Sequence, residues 1–492
     1  MPRLLILAPH LEIGGADKFN LDLIACLQRD HGYEVSVVTT RSSPHRWREQ
    51  FERLTPDVFL LHQLEPLEGY SRFILNLIET KKPDTVMITN SRIAYQLLPG
   101  LRNAGGPSFV DYLHMDDSDE EGFPRLSLRY AAYLDCTIVS SAYLKRRLIE
   151  AGGDANRIQV ATTNINPELW DRSHCDVASI RAKYGVREGV PVIAFVARLC
   201  RQKQPDVMAT VLKKIRDGGL GFVCLVAGEG DYRAWLEKFV AKHRLDQIKL
   251  LGALPSEQVR ELLAISDVYF MPSENEGIAL TLFEAISMGV PALAADVGGQ
   301  AELVSADCGI LIQPGPSQVE EYANALQRLL TDHELRARMG ARSRERIRDH
   351  FTLDKMGNRM AELLECAAST SSFIPRAAPQ DLTPKEEPPR RWRGLMNTAG
   401  LLLSPRNFGL KLRNLSLLGR ILLSREKRLQ LTEYFNPRYY LSHNPDLKAS
   451  GVAPLIHYVV QGYREDRLPS PHFDSAGRGG INPMLWRISQ RD

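Results

Sequence analysis

The chain has 492 residues, too many for one ordinary hydrophobic core, so two or three domains are expected. Its composition, 44% hydrophobic and 25% charged, is that of a globular protein and excludes a disordered or fibrous chain. The formal net charge of +3 is too small for the whole molecule to bind nucleic acid through charge, so we expect no nucleic-acid partner.

Cysteine spacing and the N-terminus indicate a reducing compartment. The seven cysteines form no C-x-x-C pair and no cluster with zinc-ligand spacing, which is typical of free thiols. The first apolar run is followed by no small-residue cleavage site and predicts a buried strand rather than a signal peptide. No apolar stretch is long enough to span a bilayer. We therefore expect a cytoplasmic protein, with any membrane contact peripheral at the inner face of the cell membrane.

The first part of the chain alternates strands and helices. An apolar run at 4–8 precedes Gly14 and Gly15, and the helical pattern that follows ends at Gly32 before a strand at 34–40. Further apolar runs, each bordered by turn or polar residues, follow at 85–88, 108–113 and 136–139. This order predicts a parallel sheet with crossover helices.

A second alternating series begins near Pro191. Strands are predicted at 192–197, 222–227, 248–251, 268–271, 291–295 and 309–312, with helical patterns such as 232–245 and 257–265 between them. Two successive series predict two doubly wound α/β domains facing a cleft. Ligands of such sheets bind at the carboxyl ends of the strands, so polar residues should converge there.

Composition divides the chain into four regions. We predict a first Rossmann-like, acceptor-side domain at 1–172 and a second, donor-side domain at 173–366. Residues 367–389 are rich in Ser, Thr and Ala, and then in Pro, which is typical of a linker. Residues 390–492 form a small, mostly helical appendage with basic and aromatic stretches.

Two glutamates flank a predicted helix start in the second domain. Glu276 lies in the loop that leaves a strand, and Glu284 lies one turn into the next helix. The free amides of Leu280 and Thr281 suit a phosphate, while the two carboxylates suit the hydroxyls of a sugar and of a ribose. Taken alone, however, this spacing favours a surface helix that carries two ordinary glutamates.

A basic pair follows the first strand of this domain. Arg198 and Lys203 have the chemistry needed to stabilise a leaving nucleoside diphosphate, whose β-phosphate gains negative charge. A basic pair at such a place is by itself more often solvated surface, and we interpret the neighbouring Arg201 that way.

The segment 273–304 resembles the E-x7-E motif of the group 1 (family four) retaining glycosyltransferases of GT-B fold. The similarity extends to the trailing E-A-x-x-x-G-x-P and to the G-G-x-x-E that ends at Glu302. The segment around Arg198 is similar to the family's G-R-L-x-x-x-K, with Ala197 in place of the glycine. Overall the resemblance covers roughly residues 3–365.

The resemblance assigns roles to the donor-side residues. It implies that Glu276 lies near the donor sugar, that Glu284 holds the nucleotide ribose, and that Arg198 and Lys203 clamp the diphosphate. The loop G-E-G at 228–230 resembles the family's G-x-G near the nucleotide, which is weak evidence alone.

The resemblance also extends to the first domain. Gly14 and Gly15 match the glycines of a G-G-A-E turn that lets the backbone approach the donor phosphate, although a simple tight turn explains them equally well. His114 matches a histidine that contacts the donor sugar, where a structural histidine is the alternative. Asp116 and Asp117 are interpreted as loop residues rather than acceptor ligands.

The resemblance implies transfer of a sugar from a UDP- or GDP-linked donor to a glycan or lipid-linked glycan in bacterial cell-surface polysaccharide biosynthesis, with retained configuration. It implies no cofactor beyond this co-substrate and no metal, although Asp117 and Asp119 have D-x-D spacing. Two alternatives remain open: a nucleotide-sugar epimerase of the same fold, and a non-catalytic glycan-binding scaffold protein.

The appendage carries two further patterns. Residues 390–428 contain ten Lys and Arg against one Glu, interleaved with leucines, which predicts either an amphipathic helix on an anionic membrane surface or a helix packed on the enzyme. Residues 434–474 resemble a short repeat found beside bacterial polysaccharide glycosyltransferases. Their aromatic residues suit a small core or a glycan, and the core is the favoured interpretation.

Overall fold

The computed structural model describes residues 1–117 and 122–370. This part of the chain forms two parallel sheets with helices on both faces, within one compact unit. The predicted linker and appendage, including the basic stretch 390–428 and the repeat 434–474, lie outside the described residues.

The first sheet has seven strands in the order β3-β2-β1-β4-β5-β6-β7, and every neighbouring pair is parallel. Its strands are β1 (Arg3–Ala8), β2 (Glu34–Thr39), β3 (Val58–Leu60), β4 (Thr85–Thr89), β5 (Ser108–Leu113), β6 (Cys136–Val139) and β7 (Ile158–Val160). Its helices are α1 (Gly15–His31), α2 (Arg48–Leu54), α3 (Leu61–Leu64), α4 (Tyr70–Lys81), α5 (Arg92–Asn103), α6 (Phe123–Tyr130) and α7 (Ala142–Glu150).

The second sheet has six strands in the order β10-β9-β8-β11-β12-β13, again all parallel. Its strands are β8 (Val192–Val196), β9 (Val223–Ala227), β10 (Ile248–Gly252), β11 (Val268–Met271), β12 (Ala292–Ala295) and β13 (Gly309–Ile312). The helices that follow the first domain are α8 (Val177–Lys183), α9 (Pro205–Asp217), α10 (Arg233–His243), α11 (Ser256–Ala264), α12 (Leu280–Ser287), α13 (Gln300–Leu303), α14 (Gln318–Thr331), α15 (His333–His350) and α16 (Leu353–Thr370). Short 3-10 turns lie at Leu67–Gly69, Ala131–Tyr133, Arg172–His174 and Arg201–Lys203.

The two doubly wound sheets confirm the predicted α/β architecture. The strands are nearly continuous apolar runs because both faces of each sheet are covered by helices. In each sheet the strand order reverses once, between β1 and β4 and between β8 and β11. These reversals open the crevices in which ligands of such folds bind.

The last helix returns to the first domain. The strand pattern placed residues 353–366 with the second domain, but α16 packs its apolar side, including Met356 and Met360, into the core that contains α1. Gly357 permits close contact, because a Cβ added there would lie 2.8 Å from Cys26 Cβ. Ala367, which composition assigned to the linker, is buried on this helix.

The chain therefore crosses between the domains twice, and the two crossings lie side by side. The amide of Ile165 donates to the carbonyl of Phe351 (3.0 Å), and the amide of Leu353 donates to the carbonyl of Ile165 (3.1 Å). Asn164 adds a side-chain hydrogen bond to the carbonyl of Thr352 at 2.9 Å. These two hydrogen-bonded segments are the covalent connections between the two domains.

Candidate functional site

Lys203 and Glu276 form an ion pair at the carboxyl edge of the second sheet. Lys203 ends the turn that follows β8, and Glu276 lies in the loop after β11, so the reversal of strand order brings them together. Their side chains are only 15% and 8% exposed. Each charge depends on the other, because an unpaired charge at such burial is strongly unfavourable.

Arg198 lies at the same edge and is exposed. Within the described residues its guanidinium forms no hydrogen bond or ion pair. Arg201, in contrast, points outward and pairs with Glu274 at 3.5 Å. The edge therefore presents Arg198 as a cation available to an anionic ligand, and the interpretation of Arg201 as surface agrees with its position.

The loop after β9 supports the backbone of Arg198. Gly228 and Gly230 have φ of +145° and +155°, which favour glycine. A Cβ added to them would lie 1.8 Å from the carbonyl oxygen of Ala197 and 2.3 Å from that of Leu199. The two glycines of the G-E-G sequence are thus required by close backbone packing beside Arg198.

The N-terminus of α12 lies in the cleft with its first amides open. Ala279 is the N-cap and provides no side-chain cap. The amides of Leu280 and Thr281 have no hydrogen-bond partner in the described part of the chain, while the Thr281 hydroxyl contacts Tyr269 Oη at 2.6 Å. Such a helix start favours a phosphate or another anion.

Glu284 lies one turn further along α12 and is buried. Burial raises the pKa of its carboxyl to about 8, an effect that Lys18 opposes and Asp22 reinforces. Lys18 and Asp22 form an ion pair on α1, so Glu284 faces the first domain. At pH 7 this carboxyl is mostly neutral.

The glycine turn of the first domain faces the start of α12. Gly14 is the N-cap of α1 and adopts an extended backbone. A Cβ added to Gly14 would meet no atom within 4 Å, and one added to Gly15 would meet only Leu280 Cβ, at 3.9 Å. The packing around the turn thus leaves room on the cleft side.

His114 directly follows β5 and lies against the loop of Glu276. Its ring packs edge-on against Phe19 and Tyr112, and Nε2 lies 3.4 Å from Thr89 Oγ1. Burial lowers the pKa of its imidazole to about 4, so the ring is neutral at pH 7. A Cβ added to Gly277 would lie 1.9 Å from the His114 carbonyl oxygen, which shows how closely the two domains approach here.

The acidic residues after His114 have structural partners. Asp116 pairs with Arg147 at 3.2 Å, and its carbonyl accepts the side-chain amide of Asn275 across the cleft at 2.7 Å. Asp117 accepts the amide of Phe123 at the start of α6 (2.9 Å). Asp119 lies outside the described residues. In the described ranges no group of three His, Cys, Asp or Glu side chains could hold a metal ion, and a reaction without a metal stays a prediction.

Sequence reasoning missed a polar cluster at the carboxyl ends of β1, β2 and β3. His10 Nδ1 lies 3.5 Å from Asp17 Oδ2, and burial raises the pKa of this aspartate. His45 accepts the amide of Leu11 at Nδ1 (3.2 Å), and its ring stacks on His62. Single histidines in separate loops form no periodic pattern, so only their common place after strands could have indicated them.

This fold is that of the GT-B glycosyltransferases, in which two Rossmann-like domains face each other. Residues 13–169 match the family model described as Glycosyltransferase Family 4, and residues 176–346 match the model of the glycosyl transferases group 1. The chain belongs to the group 1, family four glycosyltransferases.

Curated relatives and solved structures agree with this assignment. The 2-deoxystreptamine glucosyltransferase of Streptomyces kanamyceticus is 31% identical over 209 residues, 41% of this chain and 52% of the relative. The D-inositol 3-phosphate glycosyltransferase of Nocardia farcinica is 31% identical over 222 residues, 43% of this chain and 48% of the relative. This chain thus spans about half the length of these curated relatives.

Among solved structures, a glycosyltransferase from Rickettsia africae superposes with a TM-score of 0.65 at 16% identity, over 75% of this chain and 100% of that chain. The Anabaena protein HepE in complex with UDP gives a TM-score of 0.65 at 22% identity, over 74% of this chain and 100% of that chain. At these identities the likeness establishes the fold.

Proposed function

We propose that this protein is a retaining glycosyltransferase that moves a sugar from a UDP- or GDP-linked donor to a hydroxyl of a glycan or lipid-linked glycan in cell-surface polysaccharide biosynthesis. The observation that carries the proposal is the edge of the second sheet, where the Lys203–Glu276 pair, Arg198 and the open start of α12 lie together. A donor that is anionic at one end and rich in hydroxyls at the other matches this edge. HepE, which shares the fold, has been solved with UDP and with UDP-glucose.

In this proposal the diphosphate binds between cations and helix amides. Arg198 offers a planar fork of donors, Lys203 a point charge, and the amides of Leu280 and Thr281 the positive end of a helix dipole. Lys203, held by Glu276, and the two helix amides are fixed before the reaction, so their stabilisation of the developing negative charge requires little reorganisation. Glu284 then holds the ribose hydroxyls.

The sugar lies between the two domains. Glu276 accepts its hydroxyls from one side, and the neutral His114 contacts it from the other. The acceptor oxygen attacks the anomeric carbon on the face that the leaving phosphate occupies. The bond from that carbon to the phosphate oxygen breaks, and the acceptor proton passes to the departing phosphate. The reaction needs no carboxylate nucleophile, and the protein contributes position and charge.

We further propose that the acceptor is held at a membrane surface. No helix among the described residues is long and apolar enough to cross a membrane. The support is instead the basic, leucine-rich stretch 390–428, whose composition suits peripheral contact with anionic lipid.

A product analysis tests the proposal. The full chain is incubated with a panel of UDP- and GDP-sugars and a lipid-linked glycan extract, the products are identified by mass spectrometry, and NMR gives the anomeric configuration. We expect one donor to be used, with retention. An inverted product would reject the retaining reaction. Rearranged donor without transfer would support the epimerase, and binding without turnover would support the scaffold protein.

A further inference from the structure

A carboxylate of the second domain caps a helix of the first. Glu302 lies on α13, and its two oxygens accept the backbone N–H groups of Ala142 (2.8 Å) and Tyr143 (2.7 Å) in the first turn of α7. These amides have no partner inside the helix and carry the positive end of its dipole, so a carboxylate binds them strongly. The next amide, of Leu144, donates to Ser141 Oγ at 3.1 Å. The cap of α7 is thus complete only when the domains are together.

The segment that carries Glu302 is fixed on its own domain. Arg346 of α15 donates to the carbonyl oxygens of Glu302 (2.7 Å) and Leu303 (2.8 Å). Gly299 lies directly against the first domain, because a Cβ added there would be 2.6 Å from Ser141 Cβ. The capping contact is therefore held by backbone packing as well as by hydrogen bonds.

The capping contact is joined to the candidate site on both sides. In the second domain the amide of Gly299 donates to the carbonyl of Gly277 (2.7 Å), next to Glu276. In the first domain Ser140 Oγ donates to the carbonyl of His114 (2.8 Å). That carbonyl is the group against which Gly277 packs. In each domain, the segment that makes the capping contact is therefore hydrogen-bonded to the loop of a candidate site residue, Glu276 in the second domain and His114 in the first.

We propose that Glu302 is a positioning residue, which holds the domains in the arrangement that places His114 beside Glu276 by capping α7. This role deepens the proposed glycosyl transfer and rests on it, whereas the contact itself does not depend on the reaction. The Asn275 amide donates to the Asp116 carbonyl across the same cleft, so we expect the cap to contribute to the stability of this arrangement alongside that contact.

Hydrogen exchange of the full chain tests the contact without any substrate. In Glu302→Gln one acceptor oxygen and the charge are lost while the shape is kept. We expect faster exchange in three segments, 142–144, 114–116 and 275–277, because opening exposes all three. Ser141→Ala keeps the Cβ that faces Gly299 and removes only the side-chain cap of Leu144, so it should speed exchange at 142–144 without speeding it at 275–277. Glu345→Gln, which removes an exposed partner of Arg342 on α15, should change none of them.

Kinetics separate positioning from a merely structural role. With the donor used by the wild type, kcat/KM of Glu302→Gln should fall about tenfold, since the lost interaction is of charge-assisted strength. The affinity for the free nucleoside diphosphate should stay within about twofold of wild type, because the proposed nucleotide contacts all lie in the second domain. Unchanged exchange at 114–116 and 275–277 overturns the capping role whatever the activity. Faster exchange with unchanged kcat/KM overturns the positioning role. A wild type that transfers no sugar refutes the proposed function, and the exchange experiment still decides the contact.

Discussion

The buried pair of Lys203 and Glu276 joins two groups that the proposed reaction uses. Lys203→Ala should lower transition-state stabilisation by about 2–4 kcal/mol, the effect of losing one fixed electrostatic donor. Steady-state kinetics would show this as a loss in kcat/KM of roughly 30- to 1000-fold. Arg201→Ala is the matched control, because Arg201 lies nearby on the surface and should leave turnover unchanged.

Removing Lys203 also leaves a buried carboxylate without its partner, so the fold of the variant must be checked by its thermal unfolding. Wild-type turnover in a folded Lys203→Ala protein would remove Lys203 from the diphosphate site.

Glu284 gives the donor site a pH dependence. Its pKa is about 8 because burial disfavours the charged form. If ribose hydroxyls bind the ionised carboxylate, binding releases a proton, and the affinity for UDP or GDP should rise from pH 6 to pH 8 and level off above. Calorimetry in buffers with different ionisation enthalpies measures both the affinity and the released proton.

The variant Glu284→Gln separates this effect from titration of the phosphates. It should bind the nucleotide more weakly at pH 8 and should lose the part of the pH dependence that belongs to residue 284. Identical pH profiles for wild type and variant would contradict the ribose role.

Asp111 predicts a change in stability with pH. This carboxyl is fully buried on β5, where it accepts a hydrogen bond from Tyr95 Oη at 2.6 Å. Burial raises its pKa to about 6. The folded state therefore binds the proton more tightly than the unfolded state, and stability falls as the pH rises from about 4 to about 6. Above about pH 6 the free energy of unfolding should be lower by about 3 kcal/mol than below about pH 4, since each pKa unit corresponds to 1.36 kcal/mol.

Asp111→Asn keeps an acceptor for Tyr95 without the charge. Calorimetric unfolding should show a higher midpoint for the variant at pH 8 and no difference near pH 4. A variant that is less stable than wild type at pH 8 would refute the assigned cause.

At the scale of elements, the loop after β11 and the end of β5 can meet only if residue 277 has no side chain. Gly277→Ala would place a carbon 1.9 Å from the His114 carbonyl, so the loop and the strand must move apart. We expect transfer to fall about 100-fold, the cost of a shift of about 1 Å at a reacting centre. Nucleotide affinity should change little, because the proposed nucleotide contacts lie in the second domain.

Gly315→Ala is the control, since its added carbon would meet no atom within 4 Å. Equal transfer rates for the two variants would show that the close approach at Gly277 is not needed.

The interior strands were predictable, and so were the edge strands β10 and β13 of the second sheet, but the two short edge strands of the first sheet were not. Every strand bordered on both sides, such as β4 and β5, was predicted to within about a residue, because burial on both faces requires an unbroken apolar run. The strands β3 and β7 were missed. Both have three residues and lie at the edges of the sheet, where short runs resemble loops.

The candidate site was predictable only where spacing is local. The positions of Glu276, Glu284 and Lys203 follow from local motifs: Lys203 from the turn after β8, and the two glutamates from the loop after β11 and the first turns of α12. The contacts of Glu302 with α7 join residues about 160 positions apart, and nothing periodic connects them. Pairing of Lys203 with Glu276 likewise depends on the reversal of strand order, which a linear pattern does not contain.

At the scale of the whole molecule, the basic stretch 390–428 predicts salt-sensitive binding to anionic vesicles. The full chain should sediment with such vesicles at low salt, since each basic residue near the surface contributes about 1 kcal/mol. Binding should be lost when the Debye length falls well below about 10 Å.

A chain that ends at Thr370 keeps α16 whole and is the proper comparison, because an end near Ala367 would cut into buried helix. This shorter chain should not bind vesicles but should still act on a soluble acceptor analogue. Equal vesicle binding by both chains would reject the membrane role.

The return of α16 to the first domain also bears on how the protein is made. As the chain leaves the ribosome, α1 and the first sheet emerge early, but α16, which packs on α1 around Cys26, is synthesised after the whole second domain. The second domain is contiguous and can complete its core as soon as α15 has emerged. We therefore expect the second domain to complete its core before the first, which during synthesis keeps part of its apolar surface uncovered until α16 emerges.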